Sequence, residues 1–316
     1  MLPLLAMLCA LGSGFAHAQA WPAKPVRFIV PYPPGGSTDV AARVIADKLT
    51  RALGEQVIVE NRGGAGGAVG TAEAARAAAN GYTILFAANQ VSTMHLVMKN
   101  LQYDMLRDFV PVTQVTTQPN ALAVHPSLPA RDVRALIKLA KANPNKLTYA
   151  HPGPGSGQHM TGELLWRMAK VQVAGVPYKG GGQAVLDLIS GHVPVGLLGA
   201  TPFVAHHRSG RLRIIAFTSK ERFPPMPEIP TLREAGFPID STQWLGVLAP
   251  RGTSDEVVQR LHAEIVKALA LQDVRDRLAQ SALQPVGSAP REFAGVIKSQ
   301  IEHWSKVAQE LGVRPE

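Results

Sequence analysis

The 316-residue chain has a single cysteine, Cys9, and it falls inside an apolar N-terminal run, Leu2 to Phe15. With that run removed, no disulfide, thiol nucleophile or cysteine-based metal site can form. The residues before it, Ala6-Met7-Leu8, lack the small residue that a lipoprotein signal places ahead of its cysteine, so no lipid anchor is expected. The run is shorter than the ~18–20 residues that span a bilayer, and no later segment is longer. Small residues in Ala16-His17-Ala18-Gln19-Ala20 offer cleavage positions, so residues 1–20 read as a secretory signal peptide cut after Ala18 or Ala20. Its basic n-region is missing, because no Lys or Arg precedes Lys24.

Charge is also scarce, at 17% of residues, although Lys and Arg outnumber Asp and Glu by 32 to 23 and leave a formal charge of +9. The basic residues are scattered and form no K/R-rich block, which argues against nucleic acid. The balance suits either attraction of a small anion or simple solubility. There is no HExxH, and the adjacent His206 and His207 point to different faces of a helix, so no metal site is supported. Gly64, Gly66 and Gly70 are wrongly spaced for a dinucleotide fingerprint, with no acidic residue near position 85, and no cofactor is expected. Ser156 lies in GPGSGQH, where Pro154 and Gln158 occupy positions that a nucleophile elbow gives to glycine. Ser156 and His159, three residues apart at a helix start, fit capping and ligand binding better than hydrolysis. A secreted serine hydrolase using this pair is the rival reading.

The segment PYPPGGSTDVAAR, Pro31 to Arg43, joins an apolar strand, Val26 to Val30, to an amphipathic helix carrying Val40, Ile45, Leu49 and Leu53. Pro33 and Pro34 favour an extended approach, and Gly35 and Gly36 leave backbone N–H groups uncovered. Ser37, Thr38 or Asp39 can cap the helix. Unpaired N–H groups and the positive helix end then meet at one point, which receives anions. A tight turn without a ligand is the plainer alternative.

Strands and helices alternate through the rest. Two further Gly-rich turns open helices, near Gln158 to Ala169 and Gln183 to Ser190. Val110 to Val115 and Ala121 to Val124 read as separate strands, split by the polar stretch Thr116 to Asn120. Phe223 to Pro230 reads as an irregular surface segment. In the tail, Thr253 and Glu256 fit a capping box before the stripe Val257, Val258, Leu261, Ile265 and Leu269. The last helix, near Arg291 to Leu311, repeats the device with Phe293, Ile297, Ile301, Trp304 and Leu311. This pattern implies an α/β fold with a mostly parallel sheet, whose ligands bind beyond the carboxyl ends of the strands. About 296 residues follow the leader, enough for two domains.

Many segments, in order, carry a resemblance: WPAKPVRFIVPYPPGGSTDVAAR, VIVENRGGAGGAVGT, GYTILFA, DFVPVT, HPSLPARDVRALIKLAKANPNKLTYA, GSGQHMTGELL, VPYKGGGQAVLDLISGHV, IPTLREAGFP and WLGVLAPRGTS. Together they resemble the periplasmic solute receptors of tripartite tricarboxylate transporters, the Bug family. The resemblance implies a two-domain periplasmic binding protein fold of type II-like topology. Its cleft would close on a small organic carboxylate and present it to the permease subunits in the membrane. Residues 21–121 with 244–316 would form the first domain and 122–243 the second. The receptor would be a periplasmic monomer without cofactor or catalysis, although some such receptors signal to a sensor kinase instead. The site residues carried over are Tyr32, Gly35, Gly36, Ser37, Thr38, Asp39, Asn89, Thr93, Gly155, Ser156, Gly157, His159, Tyr178, Gly180 and Gly181. Ser156 is expected to donate to the ligand, and Asp39 to hold its loop rather than touch an anion. The chain departs from the family pattern at His151, Gly157-Gln158, Pro194 and Asn89 to His95, all in or near the cleft.

Overall fold

A computed structural model describes residues 21–315. The expected signal peptide, with Cys9, lies outside them. In chain order the elements are β1 (Val26–Val30), α1 (Ser37–Leu53), β2 (Val57–Asn61), α2 (Ala68–Ala75), β3 (Thr83–Ala88), α3 (Gln90–Thr93), α4 (Met105–Asp108) and β4 (Phe109–Val124). There follow α5 (Val133–Ala142), β5 (Thr148–His151), α6 (Gly157–Ala169), β6 (Ala174–Pro177), α7 (Gly181–Ile189), β7 (Val195–Gly199), α8 (Thr201–Arg208) and β8 (Arg213–Phe217). The chain ends with β9 (Thr242–Pro250), α9 (Asp255–Ala270), α10 (Gln272–Gln280), β10 (Gln284–Pro285) and α11 (Pro290–Leu311).

The strands run β2-β1-β3-β9-β4-β7-β5-β6, with β8 and β10 also paired to β4. The βα units on either side give parallel pairs, β1 with β2 and β3, and β5 with β6 and β7. Every pairing of β4 and β9 is antiparallel, so the expected mostly parallel sheet is in fact mixed.

The expected break at Thr116 to Asn120 does not occur. β4 is one strand of 16 residues. Residues 109–119 pair with β9, and residues 120–124 pair with β7 and β8. The polar stretch stays extended because its backbone is bonded to β9 and the side chains of Thr117, Gln118 and Asn120 find partners, as where Thr117 Oγ1 donates to the Gln243 carbonyl at 3.4 Å. One strand thus carries the chain between two hydrophobic cores.

The first core gathers Phe28, Ile45, Phe86, Trp244, Leu261 and Phe293 around β1, β3 and β9. The helices after β9 belong to it because their apolar stripes need that sheet face. Phe293 meets Trp244 edge-on at 5.0 Å and lies against Gly246, where a Cβ would come within 2.6 Å of its ring. Only glycine leaves room for that ring. The second half holds two clusters, one with Tyr149, Trp166 and Leu197, the other with Leu188, Phe203 and Phe217. Phe223, Met226 and Ile229 are buried in the latter, so the Pro-rich segment is irregular in backbone but anchored. A small cluster, Met160, Trp304, Val307 and Ala308, packs α11 against α6 across the two halves.

The caps differ from expectation in detail. Ser254, not Thr253, caps α9, accepting the Val257 N–H at 3.4 Å, while Thr253 Oγ1 donates to the Pro250 carbonyl at 2.8 Å. On α11, Glu292 reaches back to accept the Ala289 N–H at 3.0 Å. Among the described residues no helix is long and apolar enough to cross a membrane.

Candidate ligand-binding cleft

Where the two halves face each other lies a partly open cleft with a cavity of about 40 Å³, room for a few water-sized groups. From the first half come Tyr32 and Pro33 of the loop after β1, then Gly36, Ser37, Thr38 and Asp39 of the α1 start, Ala88 at the end of β3 and Gln90 just after it; Gln243 of β9 lies where the chain crosses back between the halves. From the second come Pro152, Gln158 of the α6 first turn, Gly180 and Gly181 at the α7 start, Leu198 and Gly199 at the end of β7, and Pro202 in the first turn of α8.

Helix starts dominate this wall. α1 and α7 begin at Gly36 and Gly180, and neither has a side-chain cap. Their first-turn N–H groups have no intrahelical acceptor and carry the positive end of the helix dipole. α6, close by, is capped by Ser156. Gly180 has φ +149, a backbone that L side chains rarely adopt. Gly36 has an ordinary φ of −84, and a Cβ there would meet nothing within 4 Å. Its value is bare space, not backbone freedom.

Asp39 is 5% exposed and serves the loop. Its carboxylate accepts the Gly35 N–H at 3.1 Å, Arg43 Nε at 3.0 Å and Asn61 Nδ2 at 3.0 Å. Burial acts to raise its pKa, but the bonds from Arg43, Gly35 and Asn61 outweigh that and hold it below the usual carboxylate range. Asp39 therefore stays ionised and neutralised, and it shapes the turn that presents Gly36 to Thr38. Tyr32 is buried beside it, its hydroxyl 3.5 Å from the Ala88 carbonyl.

The other expected site residues are placed differently. Ser156 is fully buried and does not line the cavity. Its hydroxyl donates to the Gly153 carbonyl at 2.7 Å and accepts the His159 N–H at 3.1 Å, so capping consumes it and it is not a free donor to a ligand. His159 turns away into a separate groove with Glu163 and Trp166, its ring stacked 4.5 Å from that of His151. Burial, then the neighbouring His159, pushes His151 down to about 3, and burial also lowers His159, so the pair is neutral near pH 7. Tyr178 donates to Asp187 Oδ2 at 2.7 Å. Thr93 Oγ1 lies within bonding distance of the carbonyls of Gly155, at 2.8 Å, and Gln90, at 3.0 Å. Asn89 N–H donates to the Trp244 carbonyl at 3.2 Å. Asn89, Thr93, Gly155, Gly157 and Gly35 stand behind the lining rather than in it. They support the residues that do face the cavity: Thr93 is bonded to the Gly155 and Gln90 carbonyls and the Gly35 N–H to Asp39, while Asn89 Oδ1 is buried without a partner.

Glutamines that sequence reading did not assign to the site take their place. The Thr201 N–H donates to Gln118 Oε1 at 3.1 Å, and Gln118 Nε2 donates to Gln243 Oε1. Asn120 Nδ2 donates to the Ser241 carbonyl at 3.3 Å, and Gln158 Nε2 donates to Asn120 Oδ1 at 2.8 Å. Gln158 stood out in the sequence only as a departure at a Gly-rich helix start. Gln243 and Leu198 had no local signal, because they reach the cavity through strand pairing between distant segments.

Residues 41–313 match the family described as the tripartite tricarboxylate transporter family receptor. The chain belongs to that family. BugT of Bordetella pertussis is 37% identical over 94% of this chain and 92% of its own. The structure of Rhodopseudomonas palustris Rpa4515 with adipate superposes with a TM-score of 0.91 at 33% identity, covering 94% of this chain and all of the other. MatC of the same organism, with bound malate, gives a TM-score of 0.86 at 32% identity over 91% of this chain and all of the other. The fold is that of the two-domain periplasmic binding proteins. The family consists of solute-binding receptors, and Ser156 and His159, one a cap and the other turned into a different groove, make no hydrolytic pair.

Proposed function

We propose that this receptor captures a small organic carboxylate in the cleft between its halves and hands it to the membrane permease of a tripartite transporter. It acts in the periplasm after loss of residues 1–20. One observation carries the reading. The uncapped starts of α1 and α7, one from each half, both open onto the same small cavity. Bare N–H groups at two helix ends solvate a carboxylate without an arginine clamp, and bridging waters complete the shell at little cost. The solved relatives with adipate and malate support the ligand class.

The contacting residues are Tyr32, Gly36, Ser37, Thr38, Gly180 and Gly181, with Gln90, Gln158 and Gln243 added. Residues 21–121 with 244–316 and residues 122–243 move as two bodies, joined by β4 and by the approach to β9. A carboxylate touching both favours the closed state by differential contact. The test is calorimetry against a panel of mono-, di- and tricarboxylates, with small-angle scattering for compaction. Binding and compaction by at least one carboxylate support the reading. Compaction by a neutral sugar, with a silent carboxylate panel, defeats it. Co-purification with the permease tests delivery.

A further inference from the structure

The side chains that face the cavity from β9 and α6 have their polarity set from the backbone. An amide group can be turned end for end, but a backbone N–H only donates and a carbonyl only accepts. The Thr201 N–H requires Gln118 to present its oxygen there, so Gln118 Nε2 must donate to Gln243 Oε1. Gln243 then keeps Nε2, a donor, for the cavity that it lines. The second relay runs the other way. The Ser241 carbonyl requires Asn120 to present Nδ2, so Asn120 Oδ1 accepts from Gln158 Nε2. Neither Gln118 nor Asn120 lines the cavity, while both glutamines at the ends of the relays do.

Gln158 is 1% exposed, and its Oε1 is buried without a partner. A buried acceptor left unpaired is costly, and an ionised carboxylate, which only accepts, cannot satisfy it. The missing partner is a donor on the ligand. An ammonium would sit against the positive ends of α1 and α7, and the carboxylate in the lining, Asp39, is already paired with Arg43, so the donor that fits is neutral. We infer that the natural ligand of this receptor is a hydroxycarboxylate, whose hydroxyl donates to Gln158 Oε1 while Gln243 Nε2 donates to one of its oxygens. This rests on the carboxylate-receptor reading and narrows it.

Two matched pairs of acids test the inference by calorimetry, lactate with propionate and malate with succinate. In the wild-type protein the hydroxy member should bind roughly tenfold or more tightly than its partner, because the deoxy acid leaves Oε1 unpaired. Gln158→Met keeps the length of the side chain and removes the acceptor, so it should bring that ratio close to one. Gln243→Met should weaken both members of a pair alike and leave the ratio in place. Circular dichroism and melting curves report whether each variant folds. If Gln158→Met does not fold, the wild-type ratio alone decides. Equal affinities within each pair, or a ratio that survives Gln158→Met, overturn the inference and leave the receptor reading intact. If neither lactate nor malate binds, the inference falls, and the receptor reading falls with it only if the wider carboxylate panel is silent too.

Discussion

Replacing Gly182 by valine should impair ligand binding without unfolding the protein. Gly182 sits in the first turn of α7, and a Cβ built there lies 3.1 Å from the Pro34 carbonyl oxygen, 3.8 Å from Gly35 C and 3.9 Å from Gly36 N. These are backbone atoms of the loop after β1, on the opposite side of the cleft, and they cannot rotate aside. The two branches of valine deepen a contact that is already tight at Cβ. Overpacking of this kind costs about 1–3 kcal/mol. When the two halves separate, the contact is gone, so the cost falls on the closed state alone. Ligand affinity then drops by about 5- to 150-fold, since the ligand must work against the full penalty. Calorimetry with a carboxylate that the wild-type protein binds measures the loss, and small-angle scattering should show weaker compaction at the same ligand concentration. Gly295→Ala, on α11 with nothing within 4 Å of the added carbon, serves as the control and should bind normally. A Gly182→Val protein with wild-type melting behaviour, affinity within twofold and full compaction would refute the idea that α7 closes onto this loop.

Three further outcomes are expected. Ser156→Ala should lower stability by about 1–2 kcal/mol through loss of the α6 cap, with little change in carboxylate affinity, and a fluorophosphonate probe should leave the wild-type serine unlabelled; a denaturant series and mass spectrometry check both. Gly180→Ala should cost about 1–3 kcal/mol because it forces a Cβ onto φ +149, whereas Gly36→Ala, at φ −84, should fold normally and only weaken ligand binding, as melting curves and calorimetry will report. The third outcome concerns pH. His151 and His159 have folded-state pKa values below the unfolded value, so the unfolded state binds more protons as pH falls, and their contribution is present above the unfolded pKa and lost on acidification. The urea midpoint should therefore fall between pH 6.5 and 4.5, before carboxylates such as Asp39 titrate, and His151→Asn should flatten that slope; an unchanged slope would assign the acid sensitivity elsewhere.

Local chemistry made much of the fold legible. All of VRFIV but Arg27 is buried, and the stripe from Val257 to Leu269 faces the first core, because the apolar pattern records which residues must leave water. The glycines that begin α1 and α7 were legible as helix starts, since a Gly-rich turn ends the extended run and lets the helix open. The misreadings share one cause. Thr116 to Asn120 looks like a loop because polar residues and Pro119 interrupt the apolar pattern, yet pairing with β9 holds the stretch extended. Ser156 has the composition of a binding residue, but its hydroxyl is spent on the Gly153 carbonyl and the His159 N–H.

By itself, the sequence determined which residues can form elements, where the helices start, and that the strand-to-helix turns offer bare backbone donors. Those properties depend on neighbours a few positions apart. The tertiary structure alone decided that one strand runs through both halves, that His159 turns from the cavity, and that Gln158 and Gln243 turn toward it. Gln243 is set by Gln118, 125 residues earlier, and Gln158 by Asn120, 38 residues earlier. An amide side chain has no preferred direction of its own, so its role as donor or acceptor in the cleft exists only once the fold has brought those partners together.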